Sequence, residues 1–427
     1  VATSPSITPD YPTTEPRLRS QLQALVAAHD AGDPGAPQLV SESDLFLRLC
    51  PAPTIGVTGT KGKTTTSSLA HAILSADPLH PALLGGNIGT PLVERLPELT
   101  PDHRVVVELS ELQLPALSRG TTVAVYTNVT SDHLDRHGNV DAYRRVKRRL
   151  AELVDPDGAL VLNIEDPVVG GYAGLGTAPV VLYRHDRPLP GGLGVVEGWI
   201  VSAAVERLPL AGGGTAATGP GGGIMPVDEL GIPGRHNVSN ALAAIAVGLL
   251  FGVAPDAIRR AAAAFPGVEH RLQPVALLDG VRFVDDSQGT QPDAVMAALR
   301  AFPAPVVLIA GGRDKGVDLS EMARVAAVSA HAAVLIGESG PMIEGLLRTA
   351  GLACTRRATS MDEAVGIAAG LARDALAGCP EGTVATVLLS PAAASFDMFE
   401  DYAARGRAFI AAVARLAGRE PGAGGPA

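Results

Sequence analysis

At 427 residues the chain is longer than one hydrophobic core usually organises, so two or three domains are expected. With 46% hydrophobic and 18% charged residues it reads as globular rather than disordered. A net charge of −10 argues against general nucleic-acid binding, no apolar run approaches the ~20 residues of a membrane span, and Val1–Pro5 read without the basic region or apolar core of a signal peptide.

Three cysteines, Cys50, Cys354 and Cys379, lie far apart, form neither a metal nor a disulfide framework, and fit a reducing cytoplasm. Residues 1–50 are rich in Pro and Ser and hold one short helical pattern, Arg17–Ala28, too little to bury a core of their own. The apolar run Thr54–Val57 is followed by Thr58-Gly59-Thr60-Lys61-Gly62-Lys63-Thr64-Thr65 and then by a helical pattern, Ser67–Leu74. That strand–loop–helix order is the setting of a phosphate-binding loop. Glycines let backbone N–H groups reach phosphate oxygens, the helix start adds positive potential, and Lys63 supplies a cation. Thr64 is spaced to offer its hydroxyl to a phosphate-bound Mg²⁺. Val57 stands where the full pattern has its first Gly. ATP is the expected ligand.

Gly85-Gly86-Asn87-Ile88-Gly89-Thr90 reads as a loop that permits close backbone approach to a ligand, with an ordinary turn as the plainer reading. Glu108 closes the β-like run that begins at Arg104, and a carboxylate there suits Mg²⁺ opposite Thr64. The run Thr122–Asn128 leads into Val129-Thr130-Ser131-Asp132-His133-Leu134-Asp135. Loops at strand ends line the ligand crevice of an open α/β sheet, so His133 is either a Mg²⁺ or phosphate contact or part of a turn that Asn and Asp favour anyway. In the following helix Tyr143, Val146, Leu150, Leu153 and Val154 form one apolar arc, and the four arginines form a solvated face. Lys147 falls inside the arc. Burial disfavours its ammonium form, and a neutral amine can take up CO₂ as a carbamate that offers anionic oxygens to Mg²⁺; the alternative is a snorkelling structural lysine.

After the run Ala159–Leu162, the Gly-rich stretch Ala211–Ile224 reads as the tip of a peripheral hairpin. His236-Asn237-Val238-Ser239-Asn240 reads as the cap of an Ala-rich helix reaching Leu250, and Ile258–Phe265 as a further helix. Phe265-Pro266-Gly267 is the candidate linker and hinge. Beyond it β/α alternation restarts with runs Val281–Val284, Val306–Ala310, Ala333–Ile336 and Val384–Leu389, a second doubly wound unit. The loops Asp285–Thr290, Gly311–Gly316 and Ser390–Ser395 follow three of these runs and make a second ligand site, suited to an anion by Arg313 and Lys315.

The P-loop, the Thr127-Asn128-Val129-Thr130-x-Asp132-His133-x-Asp135 loop and His236-Asn237-x-x-Asn240, in that order, resemble the Mur ligases, ATP-dependent amide ligases of peptidoglycan precursor synthesis. Gly85–Gly89, Glu108–Leu114 and Leu389–Asp397 are most similar to the members that add D-glutamate to UDP-N-acetylmuramoyl-L-alanine. The resemblance covers nearly the whole chain from Ser4 and implies an α/β fold in four stretches. Residues 1–50 would be a remnant of an N-terminal Rossmann-like UDP-binding domain, 51–266 a central P-loop parallel-sheet ATPase domain, 267–418 a Rossmann-like amino-acid-binding domain, and 419–427 a disordered tail.

For the site, the resemblance implies that Gly59, Thr60, Lys61, Gly62, Lys63, Thr64 and Thr65 bind ATP, with contacts from Asn240, Arg271 and Asp286. Thr64 with Glu108 would hold one Mg²⁺, and His133 with a carbamylated Lys147 a second. Thr290, Lys315, Ser395 and Tyr402 would hold glutamate, and Asn87 and His133 the UDP-muramoyl substrate. Gln288 departs from the lysine that some members carry there. The family's Gly-rich first turn has no counterpart before Thr54, so the sequence reads as N-terminally truncated. A cytoplasmic monomer is expected. The rival readings are a folate- or cyanophycin-type ligase with another acceptor, which the Ser390–Phe396 motif argues against, and a non-catalytic ATP-binding subunit.

Overall fold

A computed structural model describes residues 2–3, 15–88, 91–130, 139–232 and 234–418. By its internal contacts the chain divides into two compact units, Val1–Gly267 and Val268–Ala427. The α/β class expected from the sequence is the one observed. None of the helices among the described residues is long and apolar enough to cross a membrane.

The first unit opens with two-residue strands β1 (Ala2–Thr3) and β2 (Val40–Ser41), paired in parallel. Its main sheet uses β3 (Thr54–Thr58), β4 (Ala82–Gly86), β5 (Arg104–Glu108), β6 (Val123–Tyr126), β7 (Ala159–Asn163), β8 (Val180–Tyr183), β9 (Leu193–Val196), β10 (Trp199–Ser202) and β11 (Gly223–Pro226). Their order is β11-β10-β9-β8-β7-β6-β3-β5-β4. The ladder is parallel from β4 through β9 and antiparallel at the two pairs that end in β11. Strands β3, β5, β6 and β7 are buried along their full length, which is why each reads as an unbroken apolar run.

One sheet face is covered by helix Glu42–Leu49, through Phe46 and Leu47, and by helix Val140–Leu153, through Tyr143, Leu150 and Ala151. Residues 42–49, grouped by sequence with the N-terminal stretch, thus pack into the core of the central sheet. Helix Lys63–Leu74 packs against helix Arg235–Leu250. Their approach is close: a Cβ at Gly248 would lie 2.6 Å from Ile73 Cγ2. The helix that starts at the P-loop is therefore seated on an Ala- and Gly-rich partner that admits no extra methyl.

The second unit has β12 (Gln273–Leu278), β13 (Val281–Asp285), β14 (Val306–Gly311), β15 (Ala332–Ile336), β16 (Thr355–Arg357) and β17 (Ala385–Leu389), ordered β12-β13-β17-β14-β15-β16. Only the β12–β13 pair is antiparallel. Alternate residues feed two cores. Phe283, Val307, Ile309, Val387 and Leu389 face helices Met361–Leu376 and Tyr402–Leu416, while Val284, Leu308 and Leu388 face helices Pro292–Ala301, Ser320–Ser329 and Gly340–Thr349.

Two sequence readings need correction. Gly85 and Gly86, read as loop, end strand β4, so the loop begins only at Asn87. The second unit has six strands where four runs were expected; β12 and β16 are the two sheet edges. The Gly-rich stretch 211–224 does join the antiparallel pair β10 and β11 at the periphery, and the expected tail 419–427 lies outside the described residues.

Candidate active site

Strand register sets up the first cluster. Val57 pairs with Glu108 and Thr58 with Tyr126, so the loops after β3, β5 and β6 leave the sheet side by side. The loop after β3 is clasped by the one after β6. Thr60 N donates to Asn128 O (2.7 Å), Lys61 N to Asn128 Oδ1 (2.9 Å), and Thr127 Oγ1 to Lys61 O (2.6 Å). Gly59 and Gly62 take φ of 146° and 86°, and a Cβ on Gly59 would fall 2.0 Å from Thr127 Oγ1. Gly62 is the N-cap of helix Lys63–Leu74, and no side chain caps that start. Its first-turn N–H groups, together with the helix dipole, could receive an anion. Lys63 Nζ lies folded against the carbonyls of Gly59 (3.1 Å) and Thr60 (3.0 Å).

Lys147 is fully buried beneath the loop, as its place on the apolar arc requires. Its Nζ donates to Gly59 O (3.0 Å) and Thr58 Oγ1 (3.2 Å), stands 3.9 Å from Glu111 Oε2, and lies 5.6 Å from the Tyr143 ring centroid. Tyr143 in turn shares a 2.9 Å hydrogen bond with Thr60 Oγ1, which also accepts from Thr130 N. Glu108, 1% exposed, accepts from Asn87 Nδ2 at Oε1 (3.0 Å), while its Oε2 is buried with no hydrogen-bond partner. Thr64, in the first turn of the P-loop helix, is buried, and Thr65 follows it there. An orphaned carboxylate oxygen and a hydroxyl are hard donors of the kind Mg²⁺ takes, so these residues fit that ion. Asp132, His133 and Asp135 lie outside the described residues. Among the described residues no group of three or more His, Cys, Asp or Glu gathers as a metal set.

Asn240 overturns its reading as a cap. Helix Arg235–Leu250 is capped by Gly234, and Asn240 lies a turn inside, buried. Its Oδ1 accepts from Thr66 Oγ1 (3.3 Å) and sits 2.4 Å from where a Cβ on Gly62 would be, so it stands against the P-loop.

The second cluster lies in the second unit, in the loops after β13, β14 and β17, which lock together. Ser390 Oγ donates to Asp286 Oδ2 (2.6 Å), Lys315 Nζ to Thr290 O (3.1 Å), and Arg313 N to Ala394 O (2.9 Å). Ser395 is buried within it, and the hydroxyl of Tyr402 lies 3.5 Å from Gln288 Nε2. Beneath the loops Arg405, fully buried, donates to Ser287 Oγ and O and to Ala393 O. Burial draws its guanidinium down to about 10, still charged at neutral pH. Burial, and after it the charge of Arg405, also lowers Lys315. Asp286 is pushed up to about 6 by burial, against the pull of the Ser390 hydroxyl, the Leu272 N–H and the exposed Arg271. Burial raises Asp285 as well, though His270 Nδ1 lies 2.7 Å from its Oδ2.

The sequence reading missed Tyr143, Glu111, His270 and Arg405 as site members. For Arg405 a signal existed: Arg405, Phe409, Ala412 and Val413 share one arc of their helix and are all buried, the pattern that singled out Lys147.

Residues 57–248 match the family model described as Mur ligase middle domain, and residues 270–393 the one described as Mur ligase, glutamate ligase domain. The UDP-N-acetylmuramoylalanine--D-glutamate ligase of Symbiobacterium thermophilum is 39% identical over 402 residues, which is 94% of this chain and 83% of the relative. That of Chlorobaculum parvum is 37% identical over 420 residues, 96% and 84% of the two chains. Solved structures share the fold at low identity. The UDP-N-acetylmuramate-alanine ligase MurC of Thermotoga maritima aligns with TM-score 0.55 at 20% identity, covering 98% of this chain and 85% of that one. The folylpolyglutamate synthase of Mycobacterium tuberculosis complexed with ADP aligns with TM-score 0.58 at 16% identity, covering 94% and 100%.

Proposed function

The chain belongs to the Mur ligase family of ATP-dependent ligases, and from that premise we propose that it joins D-glutamate to UDP-N-acetylmuramoyl-L-alanine in peptidoglycan precursor synthesis. The observation that carries this reading is the clasped P-loop beside a buried carboxylate with an unpaired oxygen, in a chain whose relatives of that name are 39% and 37% identical. The alanine carboxylate attacks the γ-phosphorus of ATP, ADP leaves, and an acyl phosphate forms. The amine of glutamate then attacks the acyl carbon, phosphate is expelled, and a proton is released from nitrogen.

The work of the chain is to position reactants and neutralise charge. Lys63, freed from the Gly59 and Thr60 carbonyls, turns to the phosphates, and the backbone N–H groups of Gly59–Thr65 cradle them. Asn240 steadies the loop at Gly62. Arg271 and Asp286 are assigned to the nucleotide, Asn87 and His133 to the muramoyl substrate. Lys315, Thr290, Ser395 and Tyr402 take the carboxylates of glutamate. Thr64, Glu108, His133 and a Lys147 carbamate would hold Mg²⁺, which when bound offsets phosphate charge. The protein acts in the cytoplasm and as a monomer in this reading.

The test is phosphate release with ATP, UDP-N-acetylmuramoyl-L-alanine and D- or L-glutamate. Release only with the D-isomer is expected, and Lys63→Ala should lower it about 10²–10³-fold at unchanged melting temperature. Release that proceeds equally with another amino acid refutes the acceptor, and a Lys63→Ala enzyme of normal rate refutes the P-loop assignment.

A further inference from the structure

Helix Arg235–Leu250 starts without a side-chain cap, since Gly234 at φ 106° occupies the cap position. Such a start leaves the first N–H groups of the helix without a side-chain acceptor. Here the turn is gripped from outside. His185 Nε2 lies 2.8 Å from Arg235 O, and its Nδ1 is hydrogen bonded to the Glu165 carboxylate. The Arg235 carbonyl only accepts, so the ring donates to it through Nε2. Tyr183, two residues earlier, bonds the side chain of Ser239 in the same helical turn and donates to Tyr126 O at 2.9 Å.

The grip has a fixed base. Glu165 sits in the loop after β7; Asn163, the last residue of β7, donates through Nδ2 to Thr127 O (2.9 Å), and Asp166 Oδ2 accepts from Val129 N (2.9 Å). That loop therefore holds both the Thr127–Val129 segment clasping the P-loop and, through His185, the helix whose Asn240 stands at Gly62 and Thr66. We propose that Glu165 and His185 are positioning residues for the nucleotide: they seat the first turn of helix Arg235–Leu250 so that Asn240 meets the P-loop in its binding geometry. The inference rests on the reading that the P-loop binds ATP. It requires nothing of the chemical step, so the effect belongs in nucleotide affinity.

The experiment compares His185→Ala, Glu165→Ala, the double variant and His185→Gln in the full chain, by ADP titration calorimetry and by steady-state kinetics. His185→Ala and Glu165→Ala should each raise the ADP Kd and the KM for ATP about 5–20-fold, as expected for one lost charge-assisted hydrogen bond. The kcat should fall less than twofold and the KM for glutamate should stay. The double variant should be no worse than His185→Ala, because Glu165 acts through the ring. His185→Gln keeps a donor toward the Arg235 carbonyl and should recover part of the affinity. Unchanged ADP affinity in folded variants overturns the proposal. So does a uniform loss for all substrates with a lowered Tm, which would make the pair merely structural. If the unaltered protein binds no ADP, the nucleotide reading itself falls, and this proposal with it.

Discussion

Lys147 and Arg405 are fully buried basic side chains beneath polar loops, one in each unit. A buried polar head group is tolerated only where hydrogen bonds replace its lost hydration, and each has carbonyl or hydroxyl acceptors around it. Lys147→Ala should lower phosphate release at least ~100-fold, and acetate should restore part of it if a carbamate supplies oxygens at Mg²⁺. A variant equally slow with and without acetate would leave Lys147 only its role of bracing Gly59 and Thr58. Asp286 gives a pH dependence with a definite sign. Its carboxyl rises from 3.8 to about 6 on folding, so between these values the native state binds the proton more tightly. That contribution is full below pH 3.8 and is lost as pH rises through about 6. Relative to Asp286→Asn, the protein should lose up to about 3 kcal/mol of stability between about pH 4 and 7, read from urea midpoints. Parallel curves for the two proteins would show that burial does not shift this carboxyl.

At the scale of elements, the strand-to-helix turns gather the candidate site residues of both clusters, and Gly62 in one of them has no room for a side chain. Gly62→Ala imposes a side chain at φ 86° and drives Cβ into Asn240 Oδ1. It should cost about 1–2 kcal/mol of stability and weaken ADP binding measurably by calorimetry. An Ala variant with native affinity would mean that Asn240 yields without consequence. The elements legible in the sequence were those buried on both faces, such as β3, β5, β6 and β14, because nothing polar interrupts them. The edges were not. Strand β12 is nowhere fully buried, with Pro274 and Leu277 exposed, and β16 is three residues long with Arg356 and Arg357 exposed. The meeting of Asn240 with Thr66 joins residues 174 apart, which no local periodicity encodes. Lys147 stood out because a charge on an apolar arc is visible in one helix alone; the choice of a carbamate over a structural lysine came from resemblance to a family.

The whole molecule comprises two units, each with its own core and each closed by helices on both sides of its sheet. Residues 268–427 alone should therefore fold cooperatively, giving a single urea transition and dispersed amide spectra. A fragment lacking a cooperative transition would show that its cores need the first unit. The division was readable from the restart of β/α alternation after Pro266-Gly267, whereas the six-strand order was not, because strand neighbours follow from three-dimensional closure. That order has a consequence for synthesis. Strand β17, the last of the six to leave the ribosome, lies third in the sheet, between β13 and β14. Until it arrives, the β12–β13 hairpin and the β14–β15–β16 ladder must wait as two half-sheets with facing edges bare, and such edges are what chaperones cover and aggregates recruit. A ribosome paused before Ala385 would thus hold a chain whose first unit, to Gly267, has already emerged and whose second unit cannot yet close its sheet.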